Sequence, residues 1–337
     1  MTRVRVWRAG LICLLSLGGC AISPRGADLP ADTVRNLPRT VLLDATPFFP
    51  QTDYQCGPAA LATVLQAQGI DTSPGALSPA VYLPGRKGSL QIEMIAAARR
   101  QGALPYVLDA AFPALLQEVA AGNPVLVLQN LGLNLIPRWH YAVVTGYDLE
   151  REILFLRSGK LKQRVTSFAV FLRTWQRSGQ WALVVLQAGK IPATADAERY
   201  LGTAHAFEES GMAEPAAVAY RAATKRWPEE ARAWLMSGNM AFSAKHFDEA
   251  ATAFATATRL APDDAFAWNN LAYALREKGC VTEAGAALQR ALQLSPNDSN
   301  LQDSRQDITG STPGKQEPGD CGSFRTGVSP VPASAVP

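Results

Sequence analysis

Along residues 41–190, apolar positions fall in short runs separated by turn residues. Val41–Ala45, Pro105–Leu108, Val125–Gln129, Tyr141–Tyr147, Ile153–Leu156 and Trp181–Gln187 are brief and rich in β-branched or aromatic side chains, which predicts strands. Gly57–Ala67, Leu90–Gln101, Pro113–Ala121 and Phe168–Arg177 predict helices. A helix comes early and strands come late, so residues 41–190 read as an α+β domain.

Residues 197–298 follow a different rule, because matching residue types recur every 34 positions. Trp234 pairs with Trp268, and Pro228, Pro262 and Pro296 share the interval. So do Ala216, Ala250 and Ala284, then Tyr220, Phe254 and Leu288, then Ala223, Ala257 and Ala291. The alanines let two helices approach, the larger side chains fill the gap, and the prolines close each second helix. The pattern resembles tetratricopeptide helix pairs, which implies three repeats in an all-α solenoid whose concave face holds a protein partner. Within residues 299–337, positions 299–307 predict a partial capping helix, and the Gly-, Pro- and Ser-rich remainder reads as a disordered tail.

Residues 1–19 read as a signal peptide: a basic start, the apolar Leu11–Leu17 and two glycines. The apolar stretch is shorter than the ~20 residues that span a bilayer. Leu17-Gly18-Gly19-Cys20 resembles the bacterial lipobox, which implies a lipidated Cys20. Cys13 is the poorer candidate, because the large Ile12 precedes it. Residues 20–40 then form a lipidated tether, and the lipid is the expected membrane contact. Ala21 replaces the aspartate that often retains lipoproteins at the inner membrane, so the expected location is the outer membrane, facing the periplasm.

Charge narrows the partners. The chain has 32 basic and 29 acidic residues, and loss of Arg3, Arg5 and Arg8 with the signal leaves the two counts equal. A neutral chain argues against nucleic acid as a partner. Five cysteines in 337 residues make no disulfide scaffold, and no C-x-x-C or H-E-x-x-H run points to a metal. No cofactor is expected. Cys280 and Cys321 would be either free thiols or a disulfide pinning the tail.

The chemistry concentrates in two segments. In Pro50–Leu65, Cys56 stands immediately before a helical stretch, with Gly57 and Pro58 as the turn into it. A thiol there meets unsatisfied N–H groups and the positive end of the helix dipole, both of which favour thiolate. In Arg138–Asp148, His140 opens an apolar strand, and it is the only histidine within residues 41–190. A general base for Cys56 within that segment, if histidine, is His140.

Cys-Gly-Pro-Ala-Ala-Leu followed by His-Tyr-Ala-Val-Val-Thr-Gly-Tyr-Asp resembles the C39 cysteine peptidases, papain-like enzymes best known for cutting leader peptides after Gly-Gly. The resemblance implies a papain-like fold over residues 41–190, Cys56 as nucleophile and His140 as base. It also implies an oxyanion-hole glutamine before the cysteine, for which Gln51 is the first candidate and Gln55 the second. The family's third member, an aspartate on the strand after the histidine, is missing: that place reads Leu156-Arg157-Ser158-Gly159, leaving Ser158 as a neutral partner for the imidazole. Asp148 is expected at the far end of the histidine strand.

Two further loops, Pro84–Leu90 and Asn130–Arg138, either border a substrate groove or serve as plain turns, with Ser89 as a helix cap in the first. The expected function is a lipid-anchored peptidase whose repeats recruit a protein or peptide substrate. A catalytically weak binding module and an acyl-transferring enzyme using the same thioester remain alternatives. Loss of residues 197–337 should spare hydrolysis of a small peptide but impair action on the true protein substrate.

Overall fold

The computed structural model describes residues 29, 35–51, 55–310, 321 and 324. Cys20 and the signal segment therefore lie outside the described residues.

The first domain is an antiparallel sheet with helices on both faces. Its strands are β1 (Thr40–Leu42), β2 (Ala103–Val107), β3 (Val125–Asn130), β4 (Trp139–Asp148), β5 (Ile153–Ser158), β6 (Leu161–Ser167) and β7 (Ala182–Gln187). They run in the order β2-β7-β3-β4-β5-β6, and β1 pairs with β4 at Gly146–Asp148, beyond the last β3 partner, Val144. Gly146 is required there, because a Cβ would stand 2.4 Å from the Val41 carbonyl oxygen. Helices α1 (Cys56–Ala67), α2 (Pro74–Val81) and α3 (Gln91–Arg100) cover one face; α4 (Phe112–Ala120) and α5 (Phe168–Gln176) cover the other.

Strand alternation divides the apolar side chains between these layers. Leu126, Leu128, Tyr141 and Val143 pack towards α1 and α3, whereas Val125, Val127, Ala142 and Val144 pack towards α4 and α5. Two elements escaped the hydropathy pattern. Strand β6 (LKQRVTS) is an exposed edge with little apolar content, and α2 begins on Pro74 and contains Pro79. Each is held by something other than a buried stripe: β6 by its ladder to β5, and α2 by the Ser73 side chain accepting from the Ala76 N–H.

The second half is three helix pairs: α6 (Ala197–Glu209) with α7 (Ala213–Arg226), α8 (Ala231–Ser243) with α9 (Phe247–Leu260), and α10 (Ala265–Glu277) with α11 (Val281–Leu294). The 34-residue period has a hydrogen-bonded basis. The Trp234 and Trp268 indoles donate to the Pro228 and Pro262 carbonyls, and the Gln302 amide repeats the bond to Pro296. Gly238 is where a large partner sits, since a Cβ would lie 2.6 Å from the Phe254 ring. The cap, α12 (Ser299–Gly310), runs three residues past the expected 307. Cys280 and Cys321 form a disulfide, so the tail is tied to the third repeat at that point. Among the described residues, no helix is long and apolar enough to cross a membrane.

The two halves share packing. One apolar core runs from Leu104, Tyr106 and Leu186 of the sheet through Tyr200, Leu201 and Phe207 of α6 to Tyr220 of α7. The connection is also polar. The fully buried Glu118 carboxylate accepts from the Thr194 N–H and hydroxyl, both at 2.7 Å, and from the Asn123 amide. Arg199 bridges Asp109 on the first domain and Asp196 at the start of α6. Burial of a carboxylate is tolerated only when its lone pairs are filled, and here the linker fills them.

Candidate active site

Cys56 is the first residue of α1, and the helix begins there because Pro58 suits its first turn. The next position has to be glycine: a Cβ on Gly57 would stand 2.2 Å from Ser89 Oγ and 2.6 Å from Ser89 Cβ. This close pass seats the helix N-terminus against the 84–90 loop. Three backbone N–H groups, those of Tyr141, Gly57 and Cys56 itself, hydrogen-bond the sulfur. They favour thiolate, as expected at a helix start, but burial outweighs them and pushes the Cys56 thiol above its ordinary value.

His140 is the second residue of β4, opposite Gln129 of β3. Its Nε2 lies 2.8 Å from Ser158 Oγ, at the end of β5, so the neutral serine occupies the imidazole-orienting place. Burial, with the Arg164 guanidinium adding to it, lowers the His140 pKa from 6.5 to about 4. Among the described residues, no carboxylate is a cause of the shift. Behind the ring, a space of about 30 Å³ is bordered by Gln129, Ser158, Arg164 and Thr174 among others.

Cys56 and His140 line the same cleft, of about 920 Å³, together with Gln51. No hydrogen bond joins the Cys56 and His140 side chains among the described residues, so the structure brings them to one cleft without closing the pair. The Gln51 amide is occupied: its Oε1 accepts from the Gly159 N–H at 3.0 Å, and its Nε2 points at the Tyr141 carbonyl at 3.4 Å. Gln51 thus ties the segment before the nucleophile to both strands that carry His140 and Ser158. Gln55 precedes α1 and makes no side-chain cap. Asp148 ends β4 as expected, far from His140, and accepts from the Arg151 N–H.

Both loops border the cleft: Arg86, Lys87, Gly88, Ser89 and Leu90 from the first, Pro137, Arg138 and Trp139 from the second. The reading of Ser89 as a helix cap is corrected. Leu90 is the N-cap of α3, and Ser89 Oγ is buried without a partner while its carbonyl accepts from the Tyr141 hydroxyl.

Sequence reasoning missed two supporting residues. Tyr141, beside the histidine, brings its N–H to the sulfur and its hydroxyl to the 84–90 loop. Arg157 is 2% exposed and donates to the carbonyls of Asp44, Thr46 and Lys162, fixing the strand that ends in Ser158. A lone arginine within Ile153–Ser158, an otherwise apolar run, was the available signal. Of metal-type clusters among the described residues, Cys280, Glu283 and Cys321 come together, but their sulfurs are bonded to each other, which leaves one carboxylate.

Comparison with known proteins finds two family-model matches along the chain. Residues 43–183 match the model of the Peptidase_C39 like family, and residues 201–265 and 241–299 match the tetratricopeptide repeat model. Similar solved structures include a C39-like peptidase of Bacillus anthracis, at 18% identity and TM-score 0.38, covering 44% of this chain and 98% of that one. Another is the peptidase domain of Streptococcus ComA, a bifunctional ABC transporter involved in quorum sensing, at 20% identity and TM-score 0.35, covering 42% and 98%. A third is the first tetratricopeptide domain of Spaghetti (RPAP3) bound to an HSP90 peptide, at 18% identity and TM-score 0.32, covering 34% and 93%. No curated protein matches the chain.

Proposed function

We propose that this chain, which joins a C39-like domain to tetratricopeptide repeats, is a cysteine peptidase that cleaves peptide bonds through a Cys56 thioester. The observation that carries the reading is the shared cleft: a helix-start cysteine and a strand-start histidine both line it, with Ser158 on the far nitrogen of the ring. With Nε2 engaged by Ser158, Nδ1 is the ring nitrogen left to take the thiol proton. The thiolate then attacks the substrate carbonyl. The Cys56 N–H, and Gln51 if its amide turns from Tyr141, supply donors to the oxyanion. His140 returns the proton to the leaving amine, and water resolves the thioester with His140 again as base. Catalytic hydrogen bonds are often long before substrate binds, so an unclosed Cys–His pair is compatible with this sequence of steps.

We further propose a lipid anchor at Cys20, placing the protein on the outer membrane facing the periplasm, with a protein partner on the repeats.

A second reading is favoured by a specific observation. The raised thiol, the histidine lowered to about 4 and the uncharged Ser158 all oppose a thiolate–imidazolium pair, as in a peptide-binding groove that has lost its chemistry. Incubation of wild-type and Cys56→Ala protein with a complex peptide mixture, followed by mass spectrometry of new termini, separates the two. Termini produced by the wild type alone are expected. Identical termini from both proteins, or none from either, would leave the groove as a binder.

A further inference from the structure

We infer that the cleft takes an acidic peptide: a side-chain carboxylate met by Arg86 and Arg138, with its apolar neighbours laid on the 131–139 loop. The inference deepens the proposed function by naming the substrate class of the same site.

Charge is the first observation. The described residues lining the cleft include Arg86 and Arg138 and no carboxylate. None of the ion pairs among the described residues involves Arg86 or Arg138, which sit on two separate loops that line the cleft. Arg164 adds a further cation behind His140. A partly enclosed site carrying one sign of charge concentrates ligands of the opposite sign.

The second observation is the loop between β3 and β4. Leu133 is 68% exposed, Leu135 95% and Ile136 72%, and Trp139 at the loop's end is also exposed. Apolar side chains of a slack loop could fold back onto the body, but this loop is braced. Buried Asn130 accepts from the Gly132 and Arg138 N–H groups at 3.0 and 2.9 Å, and its own carbonyl accepts from the Arg177 guanidinium. Leu131 donates to the Arg138 carbonyl, and Leu133 and Ile136 bond each other's backbone. Gly132 is forced by the tightness of the turn, since a Cβ would lie 2.3 Å from the Ile136 carbonyl oxygen. The structure thus holds several large apolar groups in water beside a basic cleft, the signature of a surface that a partner covers. An apolar wall with cations on the cleft side fits a peptide in which acidic and bulky apolar residues are interspersed.

The test uses binding, so it does not depend on turnover. Full-length Cys56→Ala protein is immobilised and offered three C-terminally amidated heptapeptide pools, with Leu, Ile, Val or Phe flanking a central Glu, Gln or Lys. Amidation removes the terminal carboxylate as a competing anion. Retention of the Glu pool about tenfold above the Gln pool, with the Lys pool weakest, is expected from two partly exposed cation contacts. Arg86→Gln with Arg138→Gln should bring the Glu pool down to the Gln pool and leave the Gln pool unchanged. Leu135→Ser with Ile136→Ser should weaken both pools equally. Equal retention of Glu and Gln pools, or no retention of any pool, overturns the inference. Either result leaves the peptidase reading standing on the cleavage experiment, and cleavage without charge preference separates the two.

Discussion

Replacing Ser158 by aspartate puts back the charge that the site lacks, and its effect can be sized. Ser158 Oγ lies 2.8 Å from His140 Nε2, so an aspartate there brings a carboxylate within reach of the ring. An opposite charge at ~4–6 Å moves a pKa by about 1–3 units. His140 begins at about 4, because burial and Arg164 both act against its charged form. The Ser158→Asp protein should therefore hold His140 between roughly 5 and 7. At pH 6 the imidazolium population should rise from about 1% towards one-half, taking a midpoint near 6. Two readouts follow it: the His140 ring proton in an NMR titration, assigned by its absence in His140→Gln, and site-resolved alkylation of Cys56 near pH 6. The ring midpoint should rise and alkylation should accelerate, because an imidazolium beside the sulfur stabilises thiolate. Ser158→Asn, which is neutral, should leave the midpoint near its starting value. A Ser158→Asp midpoint still below ~5 would refute the assignment of Ser158 as the ring's partner and the electrostatic argument with it.

The same depressed value makes stability depend on acid. The unfolded chain takes up the His140 proton near pH 6.5 and the folded chain only near 4, so stability should fall as pH drops through that window, by at most roughly 3 kcal/mol; chemical denaturation at pH 7 and pH 4.5 should show a loss that His140→Gln lacks. Gly57→Ala should destabilise by about 1–3 kcal/mol, because its methyl meets Ser89 Oγ at 2.2 Å, and Ser89→Gly should restore most of the loss in a double-mutant cycle. Ending the chain at residue 190 removes Thr194 from buried Glu118 and uncovers Tyr106 and Leu104, so calorimetry should show a loss of about 3 kcal/mol or more, or no folded protein. Opening the Cys280–Cys321 disulfide, which spans 41 residues, should cost up to about 4 kcal/mol in thermal unfolding of the repeat region, with the site unaffected.

Much of this architecture was legible because each visible element has one physical requirement. The strands of the sheet interior are fully buried apolar runs, and Val125–Asn130 is buried at every position. The repeats announce themselves because Trp234 and Trp268 each need the proline carbonyl six residues upstream. Cys56 and His140 stood out because the helix start and strand start that carry them have distinctive turn residues. Strand β6 was invisible because an exposed edge needs a ladder partner, not an apolar face. The thiol's actual state was also out of reach. Local reasoning sees the helix N-terminus, which lowers a thiol, but not the burial by distant chain that raises it. The joint between domains was out of reach for the same reason: Glu118 and Thr194 lie 76 residues apart, and nothing local tells that Thr194 fills the lone pairs of Glu118.

That joint turns the repeat stack into a measuring device. Because Tyr200 and Leu201 belong to the same core as Leu104 and Tyr106, the first helix pair of the solenoid is packed directly onto the sheet domain. A chain held on the repeats, as proposed, would be offered to Cys56 across that joint. A chain gripped by the repeats reaches the thiol only if enough residues separate the gripped portion from the bond to be cut, at no more than ~3.5 Å per residue. Shorter spacers give an effective concentration near zero, and much longer ones dilute it. Two substrates with identical sequences around the bond would then fare differently according to spacer length alone. Selection by distance would come from how the repeats are joined to the sheet and would need no further contact in the cleft.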